Sequence, residues 1–245
     1  MTTMFVQLRR VVYLLVLLHC CASVAYAESV KESAKEVVER RGDSLKKIEG
    51  DMEAIRTEAL KNISDLENKL KVWKEDSERA KSVADEVIQM RHVLEAAMRN
   101  NGAPNANKGV VDASLAKGLL KNATDAVQRM KNTLSNARRS ASMARELRNS
   151  CYDTFDKLNS LIWAHKSFLA AYLGAIAEAG KEDLNMTEEK KVASESQRKQ
   201  KETQDVLSCV ISAGKQCFKS ERETNSHAVR AENAMRRLES LINQV

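Results

Sequence analysis

A shortage of helix-breaking residues constrains this chain more than any other feature of its sequence. The 245 residues include one proline, Pro104, and eight glycines. A β-rich or α/β chain needs a Gly or Pro turn about every ten residues, and this sequence has too few of them. Charged residues make up 30% of the chain and aromatic residues 4%, which is typical of long helices with narrow apolar stripes. The sequence therefore predicts an all-α fold.

Two short breaks divide the chain into three helical stretches. The run of Asn, Gly and Pro over residues 100–109 is the clearest loop, because these residues favour turn geometries. Gly180 is a candidate C-cap, and Thr187, followed by Glu188 and Glu189, is a candidate N-cap. We expect helices at about 29–99, 110–179 and 187–245.

Apolar residues recur at seven-residue intervals, which predicts coiled-coil packing. In the middle stretch one series runs from Leu120 to Ile176, and a second, offset by three residues, runs from Ala123 to Tyr172. Short connections make neighbouring helices antiparallel. We therefore predict an elongated antiparallel three-helix coiled-coil bundle over residues 28–245. The alternative is an antiparallel helix pair that dimerises, with the third helix docked only by its C-terminal half.

Two parts of the heptad pattern are irregular. The first stretch keeps one series from Leu45 to Leu94, but its companion series slips by one residue between Ile55 and Ile63. The third stretch is almost entirely polar from Glu188 to Asp205, so we expect this part to be loosely held or frayed.

The first 27 residues have the pattern of a cleaved secretory signal peptide. Arg9 and Arg10 precede an apolar run from Val11 to Leu18, and Ala25-Tyr26-Ala27 is a small-x-small cleavage site. The alternative is an uncleaved signal anchor, but the apolar run is shorter than the roughly 20 residues that a span needs. No other apolar segment is long enough, so we expect an exported mature chain without a transmembrane segment, secreted or held at the outer cell surface.

The cysteines of the mature chain predict one disulfide. If the second and third helices fold back around Asp183 and Leu184, Cys151 and Cys217 lie at the same level, and both occupy heptad seam positions. In an oxidising compartment this geometry favours a Cys151–Cys217 bond, with two buried reduced thiols as the alternative. Cys209 is left unpaired, either as an intermolecular link or as a shielded thiol.

Residues with catalytic or ligand-binding potential are few. His92, His165 and His227 fall at different levels of the predicted bundle, and no phosphate loop, nucleophile elbow or metal-ligand spacing is present. We therefore expect no enzyme activity, cofactor or metal. The formal net charge of +6 is too small to indicate nucleic-acid binding.

Three further features point to surface interactions. Asn62, Asn122 and Asn185 each begin an Asn-x-Ser/Thr triplet, the acceptor pattern for N-glycosylation. The apolar cluster from Leu161 to Leu173 marks a partner or lipid site if it is left uncovered. A basic belt on the middle helix is either a patch for an anionic protein or glycan, or a set of cations balanced by acids on neighbouring helices. Its members are Arg129, Lys131, Arg138, Arg139, Arg145 and Arg148.

A leader rich in Leu, Val and Cys, followed by long proline-poor helices with one Asn/Gly loop, resembles the exported surface proteins of trypanosomes. These include variant surface glycoproteins and haptoglobin-haemoglobin receptors, whose ectodomains are elongated helical bundles. The resemblance lies in the architecture and carries over no binding residue. This chain departs from those families in its few cysteines and in the absence of an apolar anchor tail over Glu239–Val245.

The resemblance implies a non-enzymatic surface or secreted antigen, or a receptor-like protein that binds an unknown protein or glycan. Two alternatives remain open: a lipid carrier of the apolipoprotein kind, and a structural coiled-coil spacer that forms homo-oligomers. Apolipoproteins favour eleven-residue repeats with broad apolar faces, whereas the repeat here is seven residues and the seam is narrow.

Overall fold

The computed structural model describes residues 33–102, 113–181 and 184–244. The predicted leader, most of the loop at 100–109 and Val245 lie outside this part of the chain. Every element in the described ranges is helical, and no strand is found there, which confirms the all-α prediction. The helices are α1 (Ala34–Ser64), α2 (Leu66–Gly102), α3 (Ala113–Lys181) and α4 (Thr187–Ile242).

The first predicted helix is divided into α1 and α2 at Asp65. The break comes two residues after Ile63, where the companion heptad series has slipped by one residue. A one-residue slip requires local unwinding if both sides are to face the same seam. The side chain of Asp65 accepts a hydrogen bond from Asn68 Nδ2 at 3.0 Å, and its carbonyl accepts one from the Lys69 amide at 3.1 Å, so α2 starts with a partly satisfied first turn.

Side chains cap the starts of α1 and α4. The Ser33 hydroxyl accepts a hydrogen bond from the Glu36 amide, and the Glu36 carboxylate accepts one from the Ser33 amide, which together form a capping box. These bonds hold the pKa of Glu36 below its usual value. At the start of α4 the capping side chain is that of Asn185, whereas Thr187 was the predicted N-cap. Asn185 Oδ1 accepts hydrogen bonds from both the amide and the hydroxyl of Thr187.

The chain divides into two compact units. The first comprises residues up to Glu49 together with His165–Arg198, and the second comprises Gly50–Ala164 together with Lys199–Val245. In the first unit, segments of α1, α3 and α4 pack around one apolar core. Its fully buried members are Val38, Leu45, Leu169, Tyr172, Ala175, Ile176, Ala179, Met186 and Ala193.

Close packing in the first unit involves Gly42. A Cβ added at Gly42 would lie 3.3 Å from Cε2 of Tyr172, so the tyrosine ring lies directly against the α1 backbone. Arg41 donates a hydrogen bond from Nη1 to the carbonyl oxygen of Ala171 at 2.5 Å, next to this contact. Burial is the main cause that raises the pKa of Tyr172 above its ordinary value, and nearby Glu189 adds to the rise.

In the second unit α3 is antiparallel to both of its neighbours. Lys131 pairs with Glu239 at 2.9 Å and Arg138 pairs with Glu232 at 2.6 Å, so residue numbers fall along α4 as they rise along α3. Arg129 of α3 pairs with Glu86 of α2, and further along α3 the hydroxyl of Ser140 donates to Asp76 at 2.6 Å, so residue numbers also fall along α2. These contacts confirm the antiparallel arrangement of three packed helices.

The heptad series predict the buried residues well. In α3 every member of the series from Ala123 to Tyr172 is buried, and in α1 and α2 so is every member from Leu45 to Leu94. The structure adds a third row of buried residues on α3. Each of them lies one position before a member of the series from Leu120 to Ile176, as do Ala126, Ser140 and Thr154. A helix that contacts two partners buries a wider face than a two-stranded seam, and this explains the extra row.

The polar start of the third predicted helix is ordered as part of α4, so the prediction of a frayed segment is wrong. Ala193 and Ser196 are buried in the first unit, and Thr203 is buried in the second. Thr203 donates its hydroxyl hydrogen to the carbonyl of Lys199 at 2.9 Å, so its burial leaves no unmet donor. Small side chains with local hydrogen bonds therefore replace large apolar residues at these positions.

Within the described ranges, no helix has an apolar stretch long enough to cross a membrane.

Candidate functional site

Most cations of the predicted basic belt form ion pairs between helices. Arg129 pairs with Glu86 of α2. Lys131 and Arg138 pair with Glu239 and Glu232 of α4. Glu232 accepts hydrogen bonds from Arg138 and Arg236, and these hold its pKa below the usual value despite some burial. These acids neutralise much of the local positive charge, so the geometry favours the balanced alternative, although the anionic-partner patch itself stays a prediction.

One buried carboxylate joins the two arginines at the end of the belt. Glu221 of α4 accepts a hydrogen bond from Arg145 Nε at 2.7 Å and another from Arg148 Nη1 at 2.5 Å. Arg148 occupies a heptad seam position, where a lone charge would be costly. Its guanidinium is half-buried and its carbon Cζ lies 5.7 Å from the ring centroid of Phe218. A cation–π contact and an ion pair therefore offset the burial of this arginine.

Arg139 is the member of the belt for which the described residues provide no acidic partner in an ion pair. It lines an open groove between α2 and α3 of about 330 Å³, together with Lys69, Val72, Asp76 and Met143. Trp73 forms part of the groove lining but is itself almost fully buried, as expected of a core residue. Two cations and two carboxylates line the groove, so it has no consistent charge preference: Lys69, Arg139, Asp65 and Asp76.

The register between α3 and α4 brings exposed aromatic residues together. Arg138 of α3 pairs with Glu232 of α4. Tyr152 lies fourteen residues after Arg138, and Phe218 lies fourteen residues before Glu232. Tyr152 and Phe218 therefore stand level on the same outer edge of the second unit, and they are 56% and 48% exposed. Ile211 lies seven residues before Phe218 on α4, at the same heptad position, and is 39% exposed.

Trp163 extends this exposed row along α3. It lies eleven residues after Tyr152, which is about 16 Å along the helix, and it is 65% exposed. The other aromatic residues in the described ranges are buried or half-buried: Trp73, Phe155, Phe168 and Tyr172. We call Tyr152, Trp163, Ile211 and Phe218 the aromatic edge.

The charges near Phe218 are mainly positive. Lys215 and Arg222 lie three residues before and four residues after it on α4, so they are its neighbours on the helix surface, and both are exposed. Arg148 covers the ring from the α3 side. Glu221 lies three residues after Phe218, and its two oxygens are engaged by Arg145 and Arg148. The part of the aromatic edge around Phe218 therefore combines apolar area with positive charge, while exposed Asp156 lies one turn after Tyr152 on α3.

Of the aromatic edge, sequence reasoning found only Trp163, as a member of the cluster from Leu161 to Leu173. In this cluster Trp163 and Leu173 are exposed, whereas the other members are buried or half-buried: Leu161, Ile162, Phe168, Leu169 and Tyr172. Phe218 lies on another helix and off its seam, so its closeness to Tyr152 depends on the pairing of α3 with α4. The one available sequence signal was a large aromatic residue at a non-seam position of a coiled coil.

The three cysteines in the described ranges are free thiols. Cys151 and Cys217 are buried in the same core cluster of the second unit, while Cys209 is exposed. Burial raises the pKa of the Cys151 thiol, and burial together with Cys151 raises the pKa of the Cys217 thiol to about 11. The disulfide between them stays a prediction, and the structure describes its reduced form.

A serine, a histidine and a carboxylate meet inside the first unit. His165 Nε2 lies 2.8 Å from the hydroxyl of Ser196 and 3.7 Å from Oε1 of Glu49. In a catalytic triad the acid binds the other ring nitrogen, whereas both groups here approach Nε2. His165 and Ser196 are 0% and 1% exposed, so a substrate has no access to this serine. The cluster is a polar contact within the core.

The other histidines lie elsewhere. His227 Nδ1 lies 2.8 Å from the Ser77 hydroxyl in the second unit, and exposed His92 lies beside Glu95 on α2. In the described ranges, no group of three or more His, Cys, Asp or Glu side chains is arranged to hold a metal ion.

The three candidate glycosylation sites differ in exposure. Asn122 and Asn185 are exposed, whereas Asn62 is half-buried near the end of α1. The oxygen of the Asn185 side chain caps α4, which leaves its nitrogen as the atom available for modification. Occupancy of all three sites stays a prediction.

Comparisons with known proteins give no family. No protein-family model matches the sequence, and no curated protein is similar to it. One solved structure that resembles it is a computationally designed three-helix bundle with 13% sequence identity and a TM-score of 0.39. The match covers 86% of this chain and 92% of that one.

Proposed function

We propose that this protein is a non-enzymatic, exported helical-bundle protein that binds another protein through the aromatic edge. The observation that carries the proposal is the level placement of Tyr152 and Phe218, with Trp163 and Ile211 along the same edge of the second unit. Aromatic residues and arginine dominate the binding energy of protein interfaces, because they bury large areas at low entropic cost.

The charges around the edge define the chemistry of the partner. Arg148, Lys215 and Arg222 lie around Phe218, and Glu221 on the same helix is already paired with arginines. A partner with apolar side chains flanked by Asp or Glu complements this surface. Electrostatic attraction would mainly increase the association rate, while the aromatic contacts would supply affinity.

The leader and the glycosylation triplets support export. Residues 1–27 have the pattern of a secretory signal, and Asn122 and Asn185 offer exposed acceptor side chains. The architectural resemblance to trypanosome surface proteins is consistent with an antigen or receptor-like role.

Binding by the secreted mature chain tests the proposal. Residues 28–245 would be immobilised and exposed to serum proteins and cell-surface glycoproteins, and the affinity of each retained partner would be measured. The triple variant Y152A/W163A/F218A should weaken binding at least tenfold, because each truncated anchor typically costs more than about 1 kcal/mol.

A matched control is available on the same chain. Val72, Val93 and Val229 are 53%, 50% and 57% exposed but lie off the aromatic edge. The variant V72A/V93A/V229A should bind like the unmodified protein. Equal losses in both variants, or no loss in the edge variant, would contradict the proposal.

The alternative functions predict other outcomes. Strong, salt-insensitive flotation with phosphatidylcholine liposomes would favour a lipid carrier, because apolar insertion is not screened by salt. Salt-sensitive binding to heparin that is lost on neutralising Arg139 would favour the anionic patch. An obligate multimer in sedimentation, with no partner retained, would favour a structural spacer.

A further inference from the structure

Two cysteines on different helices are neighbours in the core of the second unit. Cys151 of α3 and Cys217 of α4 belong to the same apolar cluster as Leu158, Ala213 and Trp73. Both side chains are buried, and the Cys151 thiol lies close enough to Cys217 to raise the pKa of the Cys217 thiol. Their closeness follows from the antiparallel register, which the nearby contacts of Arg145 and Arg148 with Glu221 fix independently.

A buried glycine lets the two helices approach at this level. A Cβ added at Gly214 would lie 3.4 Å from the Cβ of Cys151, so Cys151 rests on the α4 backbone. Gly214 is one helical turn before Cys217, and residues three apart lie on the same face of a helix. The side chain of Cys151 is thereby held beside the turn of α4 that carries Cys217.

We propose that Cys151 and Cys217 form a disulfide that links α3 to α4, and that this bond closes during folding, before the core packs. Cys209 takes no part in it. The inference stands apart from the binding function, since it concerns a covalent modification of the core and not the exposed edge.

The proposed oxidant is a low-molecular-weight disulfide such as oxidised glutathione. One protein thiolate attacks a sulfur of oxidised glutathione, forms a mixed disulfide and releases one glutathione thiolate. The second protein thiolate then attacks the protein sulfur of that mixed disulfide, forms the Cys151–Cys217 bond and releases the second glutathione. Two protein thiols are oxidised and oxidised glutathione is reduced to two glutathione thiolates, which take up from solvent the two protons that the protein thiols released.

The order of the steps follows from access and ionisation. The thiolate is the reactive species, and exchange requires the oxidant to reach it. In the folded unit both thiols are buried, and the pKa of Cys217 is raised to about 11 by burial and by Cys151, against smaller opposing effects of Lys69 on α2 and Arg148 on α3. Once the core has packed, oxidation is therefore blocked, whereas in the unfolded chain both cysteines are accessible.

Differential alkylation of the secreted full-length product tests the bond. The protein would be denatured without reductant, labelled with N-ethylmaleimide, then reduced and labelled with iodoacetamide. We expect the first label on Cys209 and the second on Cys151 and Cys217, with a linked peptide pair before reduction. The first label on Cys151 or Cys217, or a Cys209–Cys217 link, would overturn the proposal.

Oxidation of the reduced protein tests the timing. Reduced, refolded protein and reduced protein in 8 M urea would each receive oxidised glutathione, and bond formation would be followed by mass spectrometry. The unfolded sample should oxidise at least about a hundredfold faster, consistent with the loss of access. Equal rates would overturn the claim that the bond closes before packing.

Two measurements test the bond without substituting Cys151 or Cys217, so they do not depend on variants that misfold. C209S should retain the linked peptide pair, because Cys209 lies on the surface away from the bond. Reducing the unmodified protein with dithiothreitol should lower its melting temperature by about 10 °C, as expected for a bond that closes a loop of this length. An unchanged melting temperature after verified reduction would argue against a bond that stabilises the fold.

Discussion

His165 Nε2 lies 2.8 Å from the hydroxyl of Ser196, and both side chains are fully buried at heptad positions of α3 and α4. A buried polar group without a partner costs about 1–3 kcal/mol, whereas a satisfied pair is nearly neutral. The two residues therefore permit polar side chains where the coiled-coil pattern calls for apolar ones. They also explain why the polar start of α4 packs as a helix.

Removing both members of this pair should cost less than the sum of the costs of removing each one alone. S196A and H165L should each lower the free energy of unfolding by about 1–3 kcal/mol, because each removes one partner of this buried hydrogen bond. The double variant should cost at least about 1 kcal/mol less than the two single costs together. Urea unfolding followed by circular dichroism measures all three, and strict additivity would show that the hydrogen bond contributes nothing specific.

Loss of Glu221 should be more damaging than loss of an exposed acid in a similar ion pair. E221A leaves half-buried Arg148 without its carboxylate and should cost about 2–3 kcal/mol. The control E239A removes an acid that pairs with exposed Lys131 and should cost at most about 1 kcal/mol. Adding R148M to E221A should recover part of the loss. Equal costs in the two single variants would contradict this account.

Two helical glycines should respond differently to alanine. Nothing lies within 4 Å of a Cβ added at Gly50, so G50A should raise stability by about 0.5–1 kcal/mol through helix propensity alone. At Gly42 the same Cβ would lie 3.3 Å from the ring of Tyr172, and the ring must move to accept it. G42A should therefore gain less than G50A or lose stability. A larger gain for G42A in thermal unfolding would show that the ring yields freely.

The ion pairs of Glu232 predict a loss of stability in acid. Hydrogen bonds from Arg138 and Arg236 hold its pKa in the folded protein below the usual value. A carboxyl whose pKa is lower when folded stabilises the fold above the unfolded pKa, and this contribution disappears as the pH falls through the folded pKa. The melting temperatures of the unmodified protein and E232Q should therefore differ at pH 7 and converge below pH 4.5. A difference that is constant with pH would exclude this contribution.

Much of the fold was predictable because its cause is local and periodic. The shortage of proline and glycine excluded strands, and the heptad series alone identified buried residues such as Met52, Trp73 and Leu158. The one-residue slip in the heptad pattern near Ile63 lies two residues before the break at Asp65. The antiparallel register that brings Cys151 beside Cys217 followed from the short connection between the second and third stretches.

The candidate site was less predictable because it depends on contacts between helices. The basic belt is a feature of α3 alone, and the acids that balance most of it lie on α2 and α4. The polar segment around Ser196 was expected to fray because it has few apolar residues. The hydrogen bond of Ser196 with His165, 31 residues away in the sequence, forms only when α3 and α4 pack together. The exposure of the Leu161–Leu173 cluster could not be predicted either, because it depends on which side chains of the other helices pack against it.

The sequence alone determined the helical class, the seven-residue repeat and the face of each helix that is buried, because backbone geometry makes these consequences of residue spacing. The tertiary structure alone decided which charges are neutralised, which polar groups are satisfied in the core and which aromatic residues share an edge. Each of these depends on the relative level and rotation of two helices, and a small shift in either would place Tyr152 and Phe218 apart. Side-chain pairs between helices, unlike periodicity along one helix, exist only once the helices have packed.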